Sequence, residues 1–462
     1  ISLENCTIDK LPETQGMWEG VQVWGQAGQP QDYQNQGALY MNNASIKNAI
    51  VAVDLWKPWQ YDQTGGILSA YNSSFINNAK GLRIEEYQNH DPMTGFPMDY
   101  KAYLRNCTFE INHDFIGTET FYEHVKLVHV QGVRFDGCKF KLENPNNHVV
   151  SWAKGILAFD ANFSLDSYDA YGNLIGQSEV NGFFMGIHAV HDFDAVTKPF
   201  TVFNTDFMGN DCGIFARQVG FPTVVNSNFG IGRSGSDCAM GIYSEGINNF
   251  TIEQNSFFKT DQCPQNNYGV VIKDSNSRGT QINNNNFTNL YCGNLAIGNN
   301  RWGDFGGLLY RCNTNTSNNI DFYVLKENDN LTAIWMYQGI PLLPAKNKFS
   351  QGAYNFYNGG DRRVLYYYQR GAAGEEPVIY NSAVSVYYTD SVGECTLNYD
   401  SQVNSKTALL LSAPQKRQRE TDYHTALNTY NNVKTLYERL TDGGSTNGII
   451  TDIQTAMPWQ MW

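Results

Sequence analysis

Charge is scarce in this chain: Asp, Glu, Lys and Arg make up 17% of its 462 residues. No apolar run approaches the roughly 20 residues that a membrane-spanning helix needs. The charge that exists is one-sided, 45 acidic against 32 basic side chains for a net of −13. Such a surface repels phosphate backbones and anionic headgroups, so the composition argues against nucleic acid as a partner and against membrane insertion. CxxC pairs are missing and the nine cysteines do not cluster, which speaks against a zinc site. Their odd number leaves at least one without an intramolecular partner. Glycine-rich phosphate loops, nucleophile elbows and HExxH zinc motifs are absent too. What the chain does have is glycine (42), asparagine, tyrosine (28) and phenylalanine (26). That mixture fits an extended β-protein with many polar turns and does not fit a helical bundle. The chain opens on "ISLENCTI" without an initiator methionine and stops at "AMPWQMW". Both ends read as cut from a longer protein.

A short pattern, Asn-x-x-[Ile/Phe/Trp], recurs along the chain. It occurs at 5–8 and 43–46, then as Asn72–Phe75, Asn106–Phe109, Asn204–Phe207, Asn226–Phe229, Asn255–Phe258, Asn284–Phe287 and "NNRW" at 299–302. Degenerate copies end at Phe140 and Phe349. Most spacings are close to one coil of a parallel β-solenoid, and the longer ones leave room for side loops. In such a fold each strand pairs in register with its counterpart one coil on, about 4.8 Å away. Inward aromatics then stack into a dry column, and Asn accommodates the left-handed corner. Segments such as "GIFARQV", "GIYSEG" and "GVVIKD" supply the next strand of each coil. The expected fold is therefore all-β, a right-handed parallel β-helix of the pectate-lyase-like kind. The same spacing predicts that Cys107 stacks on Cys138 and Cys263 on Cys292, one coil apart. It leaves open whether these are disulfides or buried thiols, since adjacent coils fall within disulfide range.

The coil pattern covers residues 1–350. Polar insertions at 26–36, 87–100 and 165–179 read as loops, where binding usually resides. Residues 351–400 are Tyr-rich short strands, either a small β-cap or the last coils. Residues 401–419 read as a linker. Residues 420–462 have helical spacing (Tyr423, Ala426, Leu427, Tyr430, Val433), with a second helix begun and truncated.

Three stretches, "MWEGVQVWG" with "NQGALYMNNASIKNA", "GGLLYRCNTNTSNNIDFYV", and "LLPAKNKFS" with "NFYNGGDRRVLYYY", resemble the right-handed β-helix module of large secreted surface proteins of Bacteroidota. That resemblance implies an extracellular or outer-surface location and export by the type IX secretion system. It supplies no catalytic residues.

Many parallel β-helices cleave polysaccharides, and the sequence offers fragments of such sites. Asp206 and Asp211 lie within a few residues of each other, whereas polygalacturonase-like hydrolases separate their acidic motifs by a coil; GHG and RIK are missing. His188, His191, Asp192 and Asp194 form the densest set of potential ligands, and calcium is the cofactor such a set would take. On a strand, His188, Asp192 and Asp194 would share one face. Trp56, Trp59 and Tyr61, in a Pro-broken polar stretch, are candidates for stacking on sugar rings; the competing and simpler reading is a loop pinned by its own aromatics. The leading expectation is a non-catalytic secreted or cell-surface scaffold for adhesion, surface architecture or secretion-system cargo. Its partners would be a glycan, another surface component, or secretion or outer-membrane machinery. A divergent polysaccharide lyase or glycoside hydrolase, and a tailspike-like fibre, are the alternatives.

Overall fold

The computed structural model describes residues 1–395 apart from 144–148, 193–195, 234–236, 264, 277–278, 304–305 and 328–330. The linker and helical segment expected at 401–462 lie outside the described residues, as does Asp194. Among the described residues every regular element is a β-strand. Three long sheets hold nearly all of them, with eleven, eleven and twelve strands. The chain visits the sheets in rotation: Ser2–Glu4 opens the first, Thr7–Ile8 the second and Val21–Gln22 the third, and the cycle repeats. All pairings within these sheets are parallel. This is a right-handed parallel β-helix, the hand that parallel crossovers take.

The second sheet explains the recurrent aromatic. Register places Phe75, Phe109 and Phe140 on successive coils, then Phe207, Phe229, Phe257 and Phe287. Their rings stack at 4.5 to 4.9 Å between centroids. All of them are buried, each contributing about 1.5–3 kcal/mol of apolar burial. Val180 interrupts the column between Phe140 and Phe207.

Two motif copies are placed differently from the sequence reading. In "QNSFF" the column residue is Phe257, and the left-handed corner is Gln254 (φ 58°), so Asn255 and Phe258 each sit one position beyond the motif role. A second aromatic next to the first made the two frames indistinguishable by type. "NNRW" is no coil repeat: Arg301–Trp302 pairs antiparallel with Gly306–Gly307. The eleventh copy is Cys312–Asn315, with Cys312 left-handed (φ 56°) and Asn315 paired to Phe287.

The corner between the first and second sheets carries two parallel ladders. Outside, Asn5, Asn43, Asn72, Asn106, Asn204, Asn226 and Asn284 take φ of 46–54°. Asn43 donates its amide to Asn5 at 2.7 Å and Asn106 to Asn72 at 2.8 Å. From the third coil onward the next residue turns inward and is buried: Ser73, Cys107, Cys138, Ser178, Thr205, Ser227, Asn255, Asn285, Asn313 and Asn347. Here the side chains with reach donate to a carbonyl of the preceding coil. Cys107 and Cys138 reach Ala70 and Leu104 at 3.4 Å, while Asn255 and Asn285 reach Val224 and Ile252 at 2.9 Å. The hydroxyls of Ser73, Thr205 and Ser227 instead satisfy a carbonyl of their own coil. Each Asn oxygen also accepts the backbone N–H of the coil before, Asn255 to Asn285 at 2.9 Å and Asn285 to Asn313 at 3.0 Å. A buried polar atom in this column is therefore always paired, as its desolvation requires.

In the third sheet the glycines of the Gly-apolar segments form their own stack. A Cβ on Gly155, Gly186 or Gly213 would come within 2.6 Å of the carbonyl oxygen of the glycine one coil on. Only hydrogen fits there, since the Cβ would also press on the Phe column, 3.2 Å from Phe207 at Gly186 and 2.8 Å from Phe229 at Gly213.

Tyr354–Asn358 joins the third sheet as its twelfth strand. Val364–Gln369 and Val384–Thr389 pair in parallel beside Tyr337–Gln338. Residues 351–389 thus continue the coiling. A disulfide, Cys312–Cys395, ties the end of this region back across 83 residues. Cys107 and Cys138 lie on adjacent coils as unbonded thiols. Cys292, however, pairs in register with Tyr268 and not with Cys263, which lies after the strand, against Gly232. The loop lengths between Phe257 and Phe287 differ from those assumed by a fixed count.

Candidate functional site

The outward surface of the third sheet changes character along the axis. In the early coils it is an ionic ladder. Asp54 pairs with Arg83, Lys80 with Glu123 at 2.6 Å and Lys126 with Glu85 at 2.7 Å. Register then carries the same outward column through Leu157, His188, Phe215, Tyr243, Val271, Leu295, Tyr323 and Tyr357. A neighbouring outward column runs Cys212, Met240, Tyr268, Cys292, Ile320 and Tyr354.

These later coils form a hydrophobic cluster separate from the core. Val271, Cys292 and Leu295 lie at its base, with Met240, Tyr243, Tyr268, Tyr291, Ile297, Ile320 and Tyr323 packed on them. The aliphatic base is covered, Val271 being 2% and Leu295 6% exposed. The tyrosines of the cluster are half-buried, and Tyr354 and Tyr357 on the next coil are 48% and 37% exposed. Several rings leave the stacking direction: Tyr268–Tyr291, Tyr323–Tyr357 and Tyr354–Tyr357 are edge-to-face at 5.8, 5.3 and 5.9 Å. Desolvation raises the phenol pKa of Tyr268 to about 12 and that of Tyr323 above its ordinary value, so both keep a donor hydroxyl at neutral pH. Tyr243 uses its hydroxyl on Glu245 at 3.1 Å. Beside the cluster, a cleft of about 410 Å³ is lined by Gln265, Asn266, Asn267, Asn289, Tyr291 and Ser317, among others.

The residues singled out from sequence are dispersed. Trp56 is buried at 8% exposure, with the Arg83 guanidinium 5.0 Å over its ring and Tyr61 at 6.2 Å. Trp59 is 86% exposed and Tyr61 59%. The three do not present a common open platform, because Trp56 serves the loop that the other two decorate.

The histidine cluster divides as well. His188 points outward on the third sheet, its ring edge-on to Phe215 at 5.1 Å. Burial, with Lys154 and Arg217 nearby, lowers its pKa to about 4. His191 turns to Asp160, Nδ1 at 2.9 Å, and Asp192 lies 3.5 Å from His129 Nε2. The strand ends at Val190, so the alternation that would place His188 and Asp192 on one face does not extend to Asp192. Among the described residues no group of three or more His, Cys, Asp or Glu is arranged to hold a metal ion. Asp206 and Asp211 are engaged apart, Asp206 with Asn228 at 2.8 Å and Asp211 with Arg233 at 2.8 Å.

The tyrosine face was not read from sequence. Its signal was present as outward positions in "GIYSEG", "NNYGVVIK", "LYCGNLAI" and "IDFYVL" being apolar or aromatic where a solvated sheet face would alternate to polar. Seeing it required the coil register. Comparison of the chain with known protein families, curated proteins and solved structures finds no match.

Proposed function

We propose that the chain is a non-catalytic β-helical scaffold that works outside the cell or on its outer surface, in adhesion or surface architecture. The observation that carries this reading is the outward tyrosine face on a rigid coil stack. A contiguous apolar surface of this kind marks an interaction site more often than a solvated one, and the coils fix its geometry over many repeats. Two further features support the reading. Cys312–Cys395 is a disulfide, which persists mainly in oxidising, extracytoplasmic settings. The sequence also resembles β-helix modules of Bacteroidota surface proteins, for which export by the type IX system is the expected route.

The test is incubation of the chain with plant, algal and bacterial polysaccharides, with and without calcium, following new reducing ends. No release from any polymer is the expected result. Release that scales with protein concentration would overturn the scaffold reading in favour of a lyase or hydrolase.

A further inference from the structure

We propose that the tyrosine face of the third sheet, from Tyr243 to Tyr357, together with the adjoining amide-lined cleft, binds a neutral polysaccharide. The proposal rests on the scaffold reading and names its ligand class.

The chemistry of the surface selects that class. Solvent meets mostly phenol rings and hydroxyls here, with Met240, Ile297 and Ile320 half-buried among them, while Val271 at 2% and Leu295 at 6% exposure are covered beneath. A protein partner docking by apolar burial would want the reverse, aliphatic and large aromatic side chains free to be desolvated. Pyranose rings have apolar C–H faces that suit aromatic rings, and a rim of hydroxyls that suits amides. The edge-to-face pairs Tyr268–Tyr291 and Tyr323–Tyr357 set one ring of each pair across the column and not within its stack. Alongside, the exposed Gln265, Asn266, Asn289 and Ser317 line the cleft, and these side chains both donate and accept, while the buried Asn267 holds the wall by donating to the Gln265 carbonyl and accepting the Tyr291 N–H. A few directional polar groups beside an aromatic floor is the usual make-up of a small-molecule or oligomer subsite.

Charge argues for neutrality. At the edge of the face Lys273 is held by Glu327 at 2.9 Å and Glu245 at 3.8 Å. Lys259 lines the cleft, on a chain whose net charge is −13. With two carboxylates to one ammonium at the edge of the face, and Lys259 as the charge in the cleft lining set against the acidic excess of the chain, a long polyuronate would gain one favourable contact and meet repulsion over the rest of its length.

The experiment is affinity electrophoresis of the intact chain in native gels cast with soluble mixed-linkage β-glucan, xylan or galactomannan. Polygalacturonate and alginate serve as acidic counterparts. Retardation in at least one neutral gel is expected. The double variant Tyr323→Leu, Tyr357→Leu keeps apolar bulk but removes the rings, and should weaken binding tenfold or more. Thermal midpoints of wild type and variant establish that the fold persists. If that variant fails to fold, Tyr268→Leu with Tyr291→Leu makes the same test two coils away.

Retardation by acidic polymers alone, by none, or to an unchanged degree in a folded variant would overturn the proposal. So would a wild-type dimer, in the absence of polysaccharide, that the leucine variant dissociates, because a second copy would then be the occupant. Reducing-end release on the same panel reports separately on the scaffold reading.

Discussion

Adjacent asparagines at one corner of the tenth coil have opposite jobs, and their alanine variants should separate them. Asn284 occupies the left-handed corner at φ 54°. Asn285, the next residue, is fully buried. Its oxygen accepts the Asn255 N–H at 2.9 Å, and its amide donates to the Ile252 carbonyl at 2.9 Å and toward Asn313 at 3.2 Å. Asn285→Ala orphans at least that N–H and that carbonyl in a dry interior. At about 1–3 kcal/mol for each unsatisfied group, the loss is about 2–6 kcal/mol. Asn284→Ala loses only the tolerance of a left-handed backbone, about 1 kcal/mol, and Asn284→Gly should be near neutral. Urea unfolding followed by far-UV circular dichroism gives the ranking. Hydrogen exchange at the Asn255 amide gives the mechanism, since its protection should fall in Asn285→Ala and persist in Asn284→Ala. The reasoning is refuted if Asn284→Ala costs as much as Asn285→Ala, or if the Asn255 amide stays equally protected in both.

The stacked column makes a similar pair of expectations at Phe257 and Phe258: truncating Phe257 to alanine should cost about 3–5 kcal/mol and truncating half-buried Phe258 distinctly less, read by the same denaturation curves. His124 is buried among Phe109, Phe121, Phe140 and Phe183, and desolvation lowers its pKa from 6.5 to about 4. Its contribution to stability is therefore complete above pH 6.5 and lost as pH falls toward 4, where the unfolded chain takes up the proton first. The loss is about 3 kcal/mol at roughly 1.4 kcal/mol per unit. A His124→Phe variant measured at pH 7 and pH 4.5 should show a shallower acid dependence than wild type; an identical slope would discount the histidine. Reducing Cys312–Cys395, which spans 83 residues, should lower stability by about 4–5 kcal/mol on the chain-entropy account, visible as a lower thermal midpoint in dithiothreitol.

How much of this was legible in the sequence follows from what each feature depends on. The solenoid was readable because the corner Asn and the column Phe recur at fixed offset within a coil, as at Asn226–Phe229 and Asn284–Phe287. The buried polar ladder was not, because its members are chemically diverse: Cys107, Cys138, Thr205, Ser227 and Asn285 share a position, and no pattern of residue type marks it. The same ambiguity misassigned Asn255, which belongs to the inner ladder while Gln254 takes the corner. Cys263 was mispaired because loop lengths vary between coils, so equal sequence offsets from a Phe do not imply equal positions on the third sheet. Candidate ligands were chosen by local density, as with His188, His191 and Asp192. The surface that the structure assembles draws instead on single outward residues such as Tyr243, Tyr268 and Tyr323, each on its own coil and unremarkable in its own segment.

The asparagine ladder also bears on how such a chain can change in length. From Asn255 through Asn285 and Asn313 to Asn347 each link closes over 30, 28 and 34 residues, and every member makes the same demands on the member before and after it. A tandem duplication of the stretch between two of these asparagines would hand each new coil a complete set of partners, with no unpaired donor at either seam. Growth by whole coils is thus neutral to the interior. Because these coils also carry Tyr268, Tyr291 and Tyr323, a duplication there would lengthen the tyrosine face together with the ladder.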